Sequence, residues 1–254
     1  MEINISKGTL EKSALRSNYF YFRPDKIKCL GIFTHGYTAS KTDLLSWATK
    51  LSHEGMACII FDLPGHYLSS FNEISSLDSF TNNTHFLFEQ AYKVFNDDSL
   101  DIKSLNLSLG GHSLGALMAL KASKLESFKS INKQLICVGF GMAPITGEHI
   151  FQSSFYKSTL NIRASLVSEH IHPDVIFPWL KKEKEMLNIE NKKIHLIVGK
   201  DDLVVPPEAV EKMYEKLQGL NNIVTLDTPL KLAHHQPEQA GSFIKKYLKS
   251  LKIF

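Results

Sequence analysis

Cysteine is scarce in this chain, with three among 254 residues. Cys29, Cys58 and Cys137 each fall in an apolar, strand-like run. An odd count with no obvious pairing excludes a disulfide scaffold and reads as buried free thiols in a reducing compartment. An excess of one charge is also missing. The formal net charge of +3 is too small for the electrostatic footprint of a nucleic-acid binder. The terminal Lys245, Lys246, Lys249 and Lys252 read as the wet face of an amphipathic helix. No apolar run is long enough to span a bilayer, so no stable membrane insertion is expected. The start, Met1 to Ser6, lacks the basic and apolar regions of a signal peptide, and the expectation is a cytoplasmic protein. Repeats, low-complexity tracts and long linkers are absent. His170, His172 and Asp174 are spaced like metal ligands, but no Cys or further His stands nearby, so neither a metal nor a cofactor is expected.

What is present centres on Gly111-His112-Ser113-Leu114-Gly115. Before it, Leu105-Asn106-Leu107-Ser108-Leu109 alternates like a buried strand. After it, Ala116 to Ala122 is a run of good helix formers. G-x-S-x-G between a strand and a helix is the pattern of a nucleophile elbow. Only small residues fit beside the serine in so tight a turn, and the hydroxyl is left at the carboxyl edge of a sheet.

A serine hydroxyl needs a base beside it and a carboxylate behind that base. In this arrangement the partners follow in the order Ser, Asp or Glu, His. Lys193 to Gly199 reads as a short buried strand and runs into Asp201-Asp202. Asn222 to Leu226 is another strand, and the loop after it carries His234-His235. Both partners therefore lie just past strand ends, on the sheet edge of the elbow. Each is one of an adjacent pair, and local pattern alone does not choose between the members.

The chain at this point resembles the α/β-hydrolase superfamily, in its serine esterase and lipase-like members, over nearly its whole length. Five segments carry the resemblance: His35-Gly36-Tyr37 after the strand Cys29 to Phe33, Asp62 to His66 after the strand Met56 to Phe61, the elbow, Gly199 to Asp202, and His235-Gln236-Pro237. One departure is Tyr67, where glycine often follows the equivalent of His66. The resemblance implies Asp202, from its distance to Pro206, and His235, from its His-x-Pro spacing. Asp201 would then be a solvated turn residue, His234 a loop residue, and His112 packing. The oxyanion hole would use the backbone N–H groups of Leu114, after the nucleophile, and Tyr37, after the His-Gly pair.

The rest alternates strand and helix, as a mostly parallel central sheet flanked by helices requires. An early strand, Asn18 to Phe22, is expected antiparallel near the sheet edge. One domain over residues 1–254 is expected, with a largely helical cap at 143–191, too long for a simple connection. Phe155, Phe177 and Trp179 are the aromatic candidates for a substrate pocket in that cap. The expected activity is hydrolysis of a small-molecule carboxylic ester through an acyl-enzyme. A thioesterase uses the same triad, and a ligand receptor could keep the triad with little turnover.

Overall fold

The computed structural model describes residues 2–69, 73–96, 102–142 and 154–254. Eight strands form one sheet: β1 (Ile3–Lys12), β2 (Leu15–Pro24), β3 (Cys29–Thr34), β4 (Met56–Phe61), β5 (Asn106–His112), β6 (Lys133–Val138), β7 (Lys193–Ile197) and β8 (Ile223–Asp227). Their spatial order is β1-β2-β4-β3-β5-β6-β7-β8. β2 runs antiparallel to β1 and to β4, and every other neighbouring pair is parallel. β3 (CLGIFT) and β4 (MACIIF) are buried at every position, as continuous apolar runs in a parallel sheet require.

Helices cover both faces. Ile32, Ile59, Leu107 and Leu135 point into one core with α3 (Leu87–Asn96) and α4 (Leu114–Ala122). Phe33, Cys58, Ile60 and Ile136 point into the other, closed by Trp47 on α1 (Leu45–Ser52) and by Ile244 and Leu248 on α8 (Gly241–Ser250). The further helices are α2 (Leu77–Asn83), α5 (Ser154–Ser165), α6 (Pro173–Glu185) and α7 (Pro207–Gln218).

The expected early strand is the middle of β2. β1 escaped the sequence reading for a physical reason: it is an edge strand whose residues are mostly exposed, so it carries little apolar alternation. The chain steps from β3 outward to β4, then returns to place β5 on the other side of β3. The carboxyl ends of β3 and β5 therefore flank a topological switch point, where open α/β sheets bind their ligands.

Candidate active site

The elbow stands at that point. Ser113 links β5 to α4 with φ 50° and ψ −109°, a backbone state costly for any residue with a side chain. The glycines around it are required by close approach. A Cβ on Gly111 would stand 2.5 Å from the Gly115 carbonyl carbon, and one on Gly115 would stand 2.4 Å from the Thr34 oxygen. The Ser113 N–H donates to the Val138 carbonyl at 2.8 Å, which ties the strained turn to β6.

The carboxylate is Asp202, just past the end of β7 and 4% exposed. Its Oδ1 accepts from the N–H groups of Val204 (2.9 Å) and Val205 (2.8 Å). Its Oδ2 accepts from Nδ1 of His234 at 2.8 Å. The histidine beside the carboxylate is therefore His234, and His235 is exposed. This corrects the choice drawn from the His-x-Pro spacing. The two histidines occupy the central positions of the turn Ala233 to Gln236, closed by Gln236 N–H to the Ala233 carbonyl, with His234 half-buried and His235 exposed.

That turn is held from three sides. Leu232 is buried in the α1–α8 core. Its N–H donates to Asp201 Oδ1 at 2.7 Å. Trp47 Nε1–H donates to the Pro237 carbonyl at 2.6 Å. Asp201 is an exposed turn residue, as expected, and its carboxylate also anchors the histidine loop. The distance to Pro206, which pointed to Asp202 as the histidine's partner, carries no sign of this anchoring role of Asp201.

The His-Gly loop after β3 is fixed by a buried polar network. Lys41 donates to Asp62 from its backbone N–H (2.9 Å) and from Nζ (2.6 Å). His35 accepts the Leu63 N–H at Nε2 (2.8 Å), so its proton sits on Nδ1 and goes to the Gly36 carbonyl (2.8 Å). Burial holds the pKa of His35 down at about 4 and that of His66 at about 3, and both stay neutral. Gly36 then lies beside the elbow: a Cβ there would be 3.4 Å from Ser113 Cβ. Leu114 opens α4, with its N–H at the positive end of that helix.

The segment between β6 and β7 meets the carboxyl edge. Tyr67 N–H donates to the Leu166 carbonyl and Ser168 N–H to the Gly65 carbonyl, both at 2.8 Å. Tyr37 Oη donates to the Ile171 carbonyl at 2.8 Å, and its ring meets Phe177 edge-on at 5.2 Å. Phe177 therefore stands by the His-Gly loop. Trp179 lies lower, under the Lys121 ammonium at 5.2 Å. Lys121 is eight residues along α4 from Ser113, or about 12 Å of helix rise. Lys121 also pairs with Glu183 of α6 at 2.7 Å, so Trp179 lies where α6 packs on α4. The side chain of Phe155 lies outside the described residues. His172 accepts the Asp174 N–H at Nδ1 (3.3 Å) as the cap of α6.

Ser113, Asp202, His234, Tyr37 and Leu114 thus share one sheet edge. No hydrogen bond from Ser113 Oγ is formed among the described residues. No helix among them is long and apolar enough to cross a membrane, and none of their His, Cys, Asp and Glu side chains form a metal-binding cluster.

No family model matches this sequence, and no curated protein matches it. Solved structures do match in fold. A membrane phospholipase A described as a bacterial virulence factor is 18% identical, with TM-score 0.64, over 98% of this chain and 87% of its own. An esterase from Pyrococcus furiosus is 18% identical, with TM-score 0.60, over 98% and 93%. An epoxide hydrolase from Vigna radiata is 11% identical, with TM-score 0.64, over 98% of both chains. The chain has the α/β-hydrolase fold, a mostly parallel open sheet covered by helices on both faces.

Proposed function

We propose that this protein is a serine hydrolase that cleaves a carboxylic ester through an acyl-enzyme on Ser113. The observation that carries the reading is the Asp202–His234 pair, joined at 2.8 Å on the sheet edge where the strained Ser113 turn stands. His234 takes the Ser113 proton at Nε2 as Oγ attacks the ester carbonyl. Asp202 holds the other nitrogen protonated and faces the imidazolium that forms. The carbonyl oxygen becomes an oxyanion, received by the backbone N–H groups of Leu114 and Tyr37. His234 passes its proton to the leaving alkoxide, which departs as the alcohol. Water then repeats the cycle on the acyl-enzyme and releases the acid.

The segment at 143–191 serves as a cap in this reading, and Phe177 beside Tyr37 is its best placed pocket residue. The substrate is a small-molecule acyl ester. The three cysteines, all buried and unpaired, support a reducing, cytoplasmic setting.

The test combines fluorophosphonate labelling with turnover of p-nitrophenyl esters and acyl-CoA thioesters. Wild type should label and turn over, whereas Ser113→Ala should do neither. His234→Ala should lose several orders of magnitude in kcat, and His235→Ala should stay within about twofold. Wild-type turnover in Ser113→Ala would end the proposal. Preference for thioesters would move the bond cleaved to that class, and labelling without turnover would point to a ligand receptor.

A further inference from the structure

His112, the residue before the serine, is the least expected group in the site. Its ring is buried, and both ring nitrogens lack a hydrogen-bond partner among the described residues. The ring packs on His234 with centroids 4.7 Å apart and planes at 53°. It is wedged between two glycines. A Cβ on Gly36 would stand 2.5 Å from His112 Nδ1. A Cβ on Gly139 would stand 2.9 Å from His112 Nε2 and 3.1 Å from His234 Cε1. One face of the wedge thus meets the His-Gly loop and the other meets the histidine paired with Asp202.

We propose that His112 is a positioning residue, whose neutral ring seats His234 and favours the imidazolium that His234 becomes during turnover. The inference rests on the assignment of Ser113 and His234 above. Its physical basis is an asymmetry between two states. Two buried nitrogens without partners among the described residues are a cost that a hydrocarbon of similar size would not bear. When His234 takes the serine proton, its Cε1 edge gains positive charge. His112 Nε2 converges with that edge beside Gly139. With its proton on Nδ1, the neutral His112 ring turns the Nε2 lone pair toward that edge, and at a buried position an aligned dipole acts strongly on a new charge. The interaction grows only as the charge develops, so it lowers the barrier rather than tightening substrate binding.

His112 stays neutral to serve in this way. Burial, and the repulsion that a charged His234 or His35 would exert, hold its pKa well below the ordinary histidine value. The His234 backbone lies close enough to oppose that shift, without hydrogen-bond geometry. The groups facing the pair are Asp202 from the loop after β7 and His35 from the loop after β3. Lys184 on α6 feels the charge of Asp202 from the cap side.

Three variants separate this role from packing. His112→Leu keeps bulk and removes both nitrogens. It should melt at or above the wild-type temperature while kcat falls about tenfold and KM stays within about twofold. The acid limb of kcat/KM should move to lower pH, because the imidazolium has lost a stabilising neighbour. His112→Gln, neutral and polar, should recover most of the lost kcat, and His112→Phe should not. The proposal is overturned if His112→Leu keeps wild-type kcat or fails to fold. It is equally overturned if kcat and melting temperature fall together with an unmoved acid limb. Fluorophosphonate labelling alongside distinguishes the two levels. A wild type that labels, with His112→Leu at full kcat, removes the role of His112 alone. A wild type that neither labels nor turns over removes both.

Discussion

Asp202→Asn is the sharpest probe of the site, because the structure dictates how the new amide must lie. Asp202 Oδ1 receives two N–H donors, from Val204 and Val205, and Oδ2 receives one, from His234. An asparagine places its single oxygen against the two backbone donors, since the flipped amide would set N–H against N–H twice. Its NH₂ then faces His234 Nδ1, which must become an acceptor. The histidine proton moves to Nε2, and the lone pair that would take the Ser113 proton is gone. A tautomer reversal of this kind costs about 10⁴-fold in kcat. Turning these charge-assisted hydrogen bonds into neutral ones costs about 1–3 kcal/mol of stability as well. That is a fall of several degrees in Tm for a chain of this size. Asp201→Asn keeps an oxygen for the single Leu232 N–H, 2.7 Å away, and should lose less than about tenfold. The assay is kcat on a p-nitrophenyl ester at neutral pH, with Tm from a thermal scan. Asp202→Asn turning over within tenfold of wild type, or Asp201→Asn being the worse variant, would refute the reasoning.

Two further outcomes follow from the same packing. His35 and His66 are fully buried with pKa values held down at about 4 and about 3, against an unfolded value near 6.5. The unfolded chain therefore binds more protons below pH 6.5, and stability falls with pH through the window from about 6 to 4. These two groups together contribute a slope of about 2.7 kcal/mol per pH unit there. Urea unfolding at pH 7, 6, 5 and 4.5 measures it, and a flat midpoint across that series contradicts the buried neutral assignment. Phe177→Ala, which removes the ring against Tyr37, should change the kcat/KM ratio of short to medium acyl esters by roughly 10- to 200-fold at most. Unchanged selectivity with a sharply lowered Tm would make Phe177 ordinary packing.

The strands and helices were legible wherever burial is two-sided or periodic. β3, β4 and the β5–elbow–α4 unit are dense in local constraint: apolar runs, small residues at the crossing, good helix formers after it. β1 was not legible, because an exposed edge strand takes its partner through backbone hydrogen bonds that leave no side-chain pattern. Trp179 and Phe177 are two residues apart on one helix. Only the packing of α6 shows that one meets Lys121 and the other Tyr37.

By itself the sequence pointed to the fold class, the strained turn at Ser113, and the two loops that bring an aspartate and a histidine to its sheet edge. Those features depend on residue type and local spacing, and a G-x-S-x-G turn has few other ways to fold. The distance to Pro206 already pointed to Asp202, but which histidine faces it was decided only in three dimensions. Asp201 is drawn to the Leu232 N–H, Trp47 grips the Pro237 carbonyl across 190 positions of chain, and the turn between those anchors leaves His234, not His235, beside Asp202. The His112 ring shows the same limit. Its type is plain in the sequence, but its unpaired nitrogens and its contact with His234 arise from two glycines far apart in the chain, Gly36 and Gly139, whose missing side chains leave it room.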